Sequence, residues 1–223
     1  MSTWLAFDAG SPVTSAAVAR DGALLGECFG ESRTGPSLLY QIDASLGRAA
    51  IATADLDGML VLSGPGSFTG IRVGLATALG FRAGLAVRVV GLSNLAALAL
   101  QVVPGRVQDA AGSRGGARVL ALVDALRDEW FVQEFEPTAH GLAAIAEAQR
   151  LASPEIVRLP GAVVAVHAAQ PLPARLAEGP VHRAVALCAA VALAASAGRL
   201  DGLVSDELQP LYLRAFTPRD PKP

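Results

Sequence analysis

The apolar positions of this chain change period as it advances. Trp4–Asp8 is a short apolar run that predicts a strand. Ser15–Arg20 and Leu24–Phe29 flank Asp21-Gly22, a dipeptide suited to a tight hairpin. Leu38, Leu39, Ile42, Leu46 and Ala49 then recur at helical spacing, and Pro36 suits a first helical position. Gly58–Leu62 predicts a fourth strand, followed by the glycine-rich stretch Gly64–Gly70 and a second helix to about Gly84. Ala86–Val90 predicts a fifth strand, and Ser93 caps a third helix containing Leu95, Leu98 and Val102. Three antiparallel strands followed by alternating helices and strands predict an α/β fold, a mixed sheet with helices packed on it.

A stretch rich in Gly, Ala and Ser at Gln108–Arg118 breaks the pattern. After it the opening partly repeats. Leu120–Ala125 echoes Leu5–Ala9: each is an apolar strand ending in Asp-Ala, then a turn and another strand, here Glu129–Phe135. Pro137–Leu159 reads as a short helix with its connections, Gly161–Val166 as a strand, and Arg183–Gly198 as a long alanine-rich helix. The expected division is residues 1–104 and 105–204. The proline-rich tail 205–223 completes the first unit, with Tyr212 and Phe216 as anchors.

Composition narrows the class. The chain has 223 residues, 52% hydrophobic and 17% charged, with mean hydropathy +0.43, enough for a sizeable core and too apolar for disorder. Its longest uncharged stretches, Val89–Gly105 and Leu159–Ala174, fall short of the ~20 apolar residues a membrane span needs. No basic segment precedes the first apolar run, so a cytoplasmic protein without membrane attachment is expected. The net charge is −2 and neither half is basic, so tRNA or other nucleic acid is not gripped by this chain alone. Cys28 and Cys188 read as structural thiols, and no metal-ligand spacing joins them to His140, His167 or His182.

The sharpest local feature is Gly64-Pro65-Gly66-Ser67-Phe68-Thr69-Gly70-Ile71-Arg72. Such a turn before a helix can present backbone N–H groups to an anion. It lacks the lysine of a phosphate-binding P-loop, its GxGxxxG spacing is one residue too long for the dinucleotide fingerprint, and Pro65 stands where a hydrolase elbow needs glycine. A tight turn with Ser67 or Thr69 as helix cap is the plainer reading. The glycines of the following helix, Gly70/Gly74 and Gly80/Gly84, are each four apart, so each pair lets a second backbone approach one face. That backbone can belong to this chain or to a partner. Asp8, closing the first strand, can reach a magnesium ion in a nucleotide site or simply form an Asx turn with Gly10-Ser11. The histidines sit in undistinguished contexts, and no nucleophile–base pair stands out, so no catalytic residue is assigned.

Residues 63–75 as a whole resemble the signature of the bacterial TsaB (YeaZ) family. The resemblance extends to Leu5–Asp8 with its hairpin, to Ser93-Asn94-Leu95, to Asp124–Phe131, and to Pro210-Leu211-Tyr212-Leu213-Arg214. It implies an actin/Hsp70/sugar-kinase-like (ASKHA) fold of two related halves. It also implies a non-catalytic subunit that supports a larger paralog, TsaD, together with the ATPase TsaE. That machinery places threonylcarbamoyl on adenosine 37 of tRNA (t6A37). ATP and magnesium serve the complex, and this chain holds no cofactor tightly. By the same resemblance the helices at about 36–50 and 69–84 bundle with TsaD or with a second copy as a homodimer. The contacts would be Leu38, Leu39, Ile42, Leu46, Gly70, Ile71, Gly74, Leu75 and Ala78. Thr34 and Leu126 depart from the family pattern, which has His and Arg there. No second Gly-Gly adenosine motif follows the break, since Gly115-Gly116 precedes the strand. The competing reading is a stand-alone enzyme of the same fold, a small kinase or glycopeptidase-like hydrolase. It would bind ATP and magnesium through Asp8, Gly66, Ser67, Thr69 and Gly70.

Overall fold

The computed structural model describes residues 1–31, 37–102, 117–139 and 141–211. Thr34, Pro36, His140, Gly115-Gly116, Tyr212 and Phe216 lie outside the described residues. The first strands are β1 (Thr3–Asp8), β2 (Val13–Arg20) and β3 (Ala23–Glu31), an antiparallel meander turned by Asp21 and Gly22 at positive φ. Helix α1 (Ser37–Ala49) leads to β4 (Gly58–Leu62), parallel to β1. Helix α2 (Phe68–Gly84) leads to β5 (Arg88–Leu92), parallel to β4, and α3 (Asn94–Leu100) follows. After the break, β6 (Val119–Leu126) and β7 (Glu129–Thr138) are antiparallel. β8 (Gly141–Ala144) and β9 (Gln149–Ala152) both pair with β7. β10 (Val163–His167) lies parallel to β6, and β11 (Val181–Ala184) parallel to β10, with the short helix α4 (Ala174–Ala177) between them. The last elements among the described residues are α5 (Cys188–Ser196) and β12 (Val204–Ser205).

The strand order is β12-β5-β4-β1-β2-β3 in one sheet and β11-β10-β6-β7-β8 in the other. From β1 to β5 and from β6 to β11 the same plan is followed: an antiparallel meander on one side, two parallel additions on the other. The duplication hinted at by the Asp-Ala echo is therefore a duplication of topology, in two mixed sheets with packed helices.

The first sheet is apolar on both faces, which is why its strands read as continuous apolar runs. Leu5, Phe7, Val18, Met59 and Val61 pack under α1 and α2. Ala6, Ala17, Ala19, Leu60 and Leu62 face the other way, onto α3 and α5. All seven residues of α3 are buried, and α5 is buried except for the half-buried Leu193. Val119, Ala121, Phe131 and Phe135 of the second sheet join the same core. Alanine dominates α5 because a helix lying between two sheets has room for little else. The outer face of the second sheet is covered separately, by Ile156 and Leu176 over Leu120, Leu122 and Trp130.

The second half differs from the sequence pattern in two places. Pro137–Leu159 was expected to hold a helix, yet it forms β8 and β9. The free edge of β7 offers a ladder to any neighbouring segment, and Gly141, at φ 139°, sits where a Cβ would overlap the Arg199 carbonyl. The expected helix over Arg183–Gly198 is shortened: its first residues complete β11, and only Cys188–Ser196 is helical. The chain also returns to the first sheet earlier than the tail, since α5 packs across β1, β2 and β3 and β12 extends β5. Among the described residues no helix is long and apolar enough to cross a membrane.

Candidate functional site

Two parts of the molecule can meet a ligand or partner: the cleft between the sheets and the outer surface of α1 and α2. The cleft is built by the turn after β1. Asp8 is fully buried, and one carboxylate oxygen accepts the Gly10 N–H at 2.7 Å and the Ser11 N–H at 3.3 Å. Its other oxygen is buried without a partner, and burial raises the carboxyl pKa above its ordinary 3.8. Asn94, the first residue of α3, ties this turn to its neighbour. It accepts the Gly64 N–H at 2.8 Å and donates to the Ser11 hydroxyl at 3.0 Å.

The glycine motif turns out to be a lock between backbones. The Ser67 N–H donates to the Gly10 carbonyl at 2.8 Å, and a Cβ on Gly66 would stand 2.5 Å from that oxygen. A Cβ on Gly70 would overlap the Ala9 carbonyl. Ser67 caps α2 by accepting the Gly70 N–H at 3.3 Å, and it lines the cleft with Gly66, while Thr69 is exposed on the first turn. Of the expected anion or nucleotide contacts, Asp8 lies buried beneath its turn and Gly70 is pressed against Ala9, while Gly66 and Ser67 line the cleft.

The residues expected as partner contacts lie on both sides of these helices. Leu38, Ile42 and Leu46 of α1 and Ile71, Leu75 and Ala78 of α2 are at most 8% exposed, packed into the chain's own core. Gly74 faces Val61, 3.3 Å from where its Cβ would lie. Helical spacing marks an apolar stripe, and here the stripe faces the sheet. Leu39 alone of the expected apolar contacts is outward, 59% exposed, beside Tyr40; α2 adds exposed Phe68 and Leu79. Gly80 and Gly84 have open space where a side chain would go, so only the second glycine pair leaves room for another backbone.

The opposite wall of the cleft repeats the first. Asp124 accepts the Leu126 N–H at 2.7 Å, and Leu126, Arg127 and Asp128 all turn with positive φ. His167, in an undistinguished context in the sequence, lines this wall, 3% exposed. It accepts the Ala169 N–H through Nδ1 at 3.1 Å, which leaves Nε2 to donate to the Val185 carbonyl at 2.7 Å. Burial lowers its pKa below 6.5. The ring is a neutral strut with both nitrogens engaged. No sequence spacing marks it; a histidine at a strand end was the only sign. The cleft between these walls has a volume of about 300 Å³ and is partly open to solvent. Among the described residues no group of three or more His, Cys, Asp or Glu side chains could hold a metal ion. Cys28 and Cys188 are free and buried, Cys188 against the Ser15 hydroxyl.

Two sheets of one plan facing each other across a cleft define a class, the two-lobed ASKHA-like folds. Residues 37–178 match the family described as TsaD, tRNA N6-adenosine threonylcarbamoyltransferase. The chain belongs to this family, on its TsaB/YeaZ branch. It is 30% identical over 120 residues to the tRNA threonylcarbamoyladenosine biosynthesis protein TsaB of Escherichia coli, covering 54% of this chain and 48% of that protein. The chain thus spans about half the length of the curated relatives it matches. Among solved structures, YeaZ from Pseudomonas aeruginosa superposes with TM-score 0.73 at 23% identity, over 95% of this chain and 100% of that one. A second Pseudomonas aeruginosa protein, described as similar to peptidase YEAZ, gives 0.77 at 25%, over 96% and 100%.

Proposed function

We propose that this chain is a non-catalytic subunit of the cytoplasmic machinery that makes threonylcarbamoyladenosine at position 37 of tRNA. In this reading it supports a larger TsaD-type paralog and works alongside a TsaE-type ATPase, reaching tRNA only through the complex. ATP and magnesium serve the assembly. Family membership supports the pathway. The observation that carries the subunit role is the outward face of α1 and α2, where Leu39, Tyr40, Phe68 and Leu79 are 42–66% exposed. Both helices cover the outer side of one sheet, so their exposed residues form one side of the molecule. Burying such residues on association stabilises it by roughly 25 cal/mol per Å² of apolar area. The same face serves a second copy of the chain or the larger paralog, one at a time.

Sedimentation velocity of the chain alone and mixed with the larger paralog tests this. The expected result is a homodimer that gives way to a one-to-one heterodimer. Leu39→Asp combined with Leu79→Asp, both at exposed positions, weakens each association at least tenfold. Undiminished pairing by the double variant, or a wild-type chain that ignores the paralog, sinks the proposal.

A further inference from the structure

We infer that the cleft between the two sheets is a binding site for a small organic amine. The chemistry of its walls selects the ligand. Among the described residues, those lining the cavity of about 300 Å³ include no lysine or arginine, and Asp124 is the one carboxylate. An anion there would face that carboxylate with no compensating cation among the described lining residues. His167 offers no cation in its place, because its two ring nitrogens are taken by Ala169 and Val185. Gln170, on the same wall, has its Oε1 buried without a partner, an acceptor that lacks a donor. Ammonium and guanidinium groups carry only donors, and a charge-assisted hydrogen bond to the half-buried Asp124 is stronger than one between neutral groups. Leu98, Val123 and Leu187 supply an apolar lining for a methylene stem. A bare divalent ion is a poorer fit, since it needs about six oxygen ligands.

The probe is agmatine, a guanidinium and an ammonium joined by a short alkyl stem, titrated calorimetrically into the full chain. One-to-one saturable binding is expected. Asp124→Asn keeps an acceptor for the Leu126 N–H but removes the charge, and it weakens binding at least tenfold. Asp206→Asn removes an exposed carboxylate that pairs with Arg88 and leaves binding unchanged. ATP with magnesium does not displace agmatine. Absence of saturable binding, equal affinity in Asp124→Asn, equal loss in Asp206→Asn, or displacement by ATP with magnesium would each overturn the inference.

Discussion

Asp8 and Asp124 do the same work in the two sheets: each accepts the N–H of the residue two positions on, at 2.7 Å. Their surroundings differ. Asp8 is fully buried, whereas Asp124 lines an open cleft. The shared bond fixes the turn after each first strand, and the difference in burial separates structural from binding chemistry.

The Asp8 carboxyl has its folded pKa raised above 3.8, so the folded chain holds a proton that the unfolded chain has already released. Stability therefore falls as pH rises from 3.8 through the folded value. Asp8→Asn keeps the acceptor for Gly10 and carries no charge to bury. Urea denaturation across this range is expected to show that slope in the wild type and its loss in the variant. An unchanged slope would mean that Asp8 is not its source.

His167 gives the opposite sign. Its folded pKa lies below 6.5, so stability is complete above 6.5 and declines as pH falls below it toward the folded value. His167→Asn can still accept from Ala169 but cannot reach Val185 as the ring does. It is expected to cost about 1–2 kcal/mol at neutral pH and to flatten the decline, measured by the same denaturation series.

Two glycines of one helix should respond in opposite ways. Gly70→Ala places a methyl on the Ala9 carbonyl and is expected to destabilise by about 3 kcal/mol. Gly80→Ala meets nothing within 4 Å and should stabilise by about 0.5–1 kcal/mol, through the lower helix cost of alanine. Equal effects in urea titrations would refute the lock between α2 and the β1–β2 turn.

Arg158 works as a strap. Its guanidinium donates to the carbonyls of Ala162, Leu176, Glu178 and Pro180, at 2.6–3.2 Å, joining the segments on either side of β10. Arg158→Ala is expected to cost about 2–3 kcal/mol, and Arg158→Lys to recover little, because an ammonium lacks the planar fork. Full recovery by lysine in thermal unfolding would show that charge alone suffices.

Much of the first half was readable in the sequence, because apolar runs, Asp21-Gly22 and the Ser93 cap are local signals. What could not be read was direction. The spacing of Leu38, Ile42, Leu46, Ile71 and Leu75 marks a stripe without saying whether a sheet of the same chain or another chain covers it; here it is the sheet. The Gly70 lock depends on Ala9, sixty-one residues away in the chain. β8 and β9 were missed for a similar reason: alanine favours helix locally, but the unpaired edge of β7 is a long-range opportunity that local spacing does not reveal. His167 and Asn94 gained their places from the fold, each through bonds to segments distant in sequence.

The burial of α3 and α5 between the sheets bears on how the chain acquires its structure. Neither repeat can complete its interior alone, because Leu95 and Leu98 from one half and Val191 from near the end share a core with Val119 and Phe135. A fragment ending near residue 104 would lose that cover and expose the inner face of its sheet. The repeats are related in plan but not separable in thermodynamics, and the whole chain should melt in a single cooperative transition.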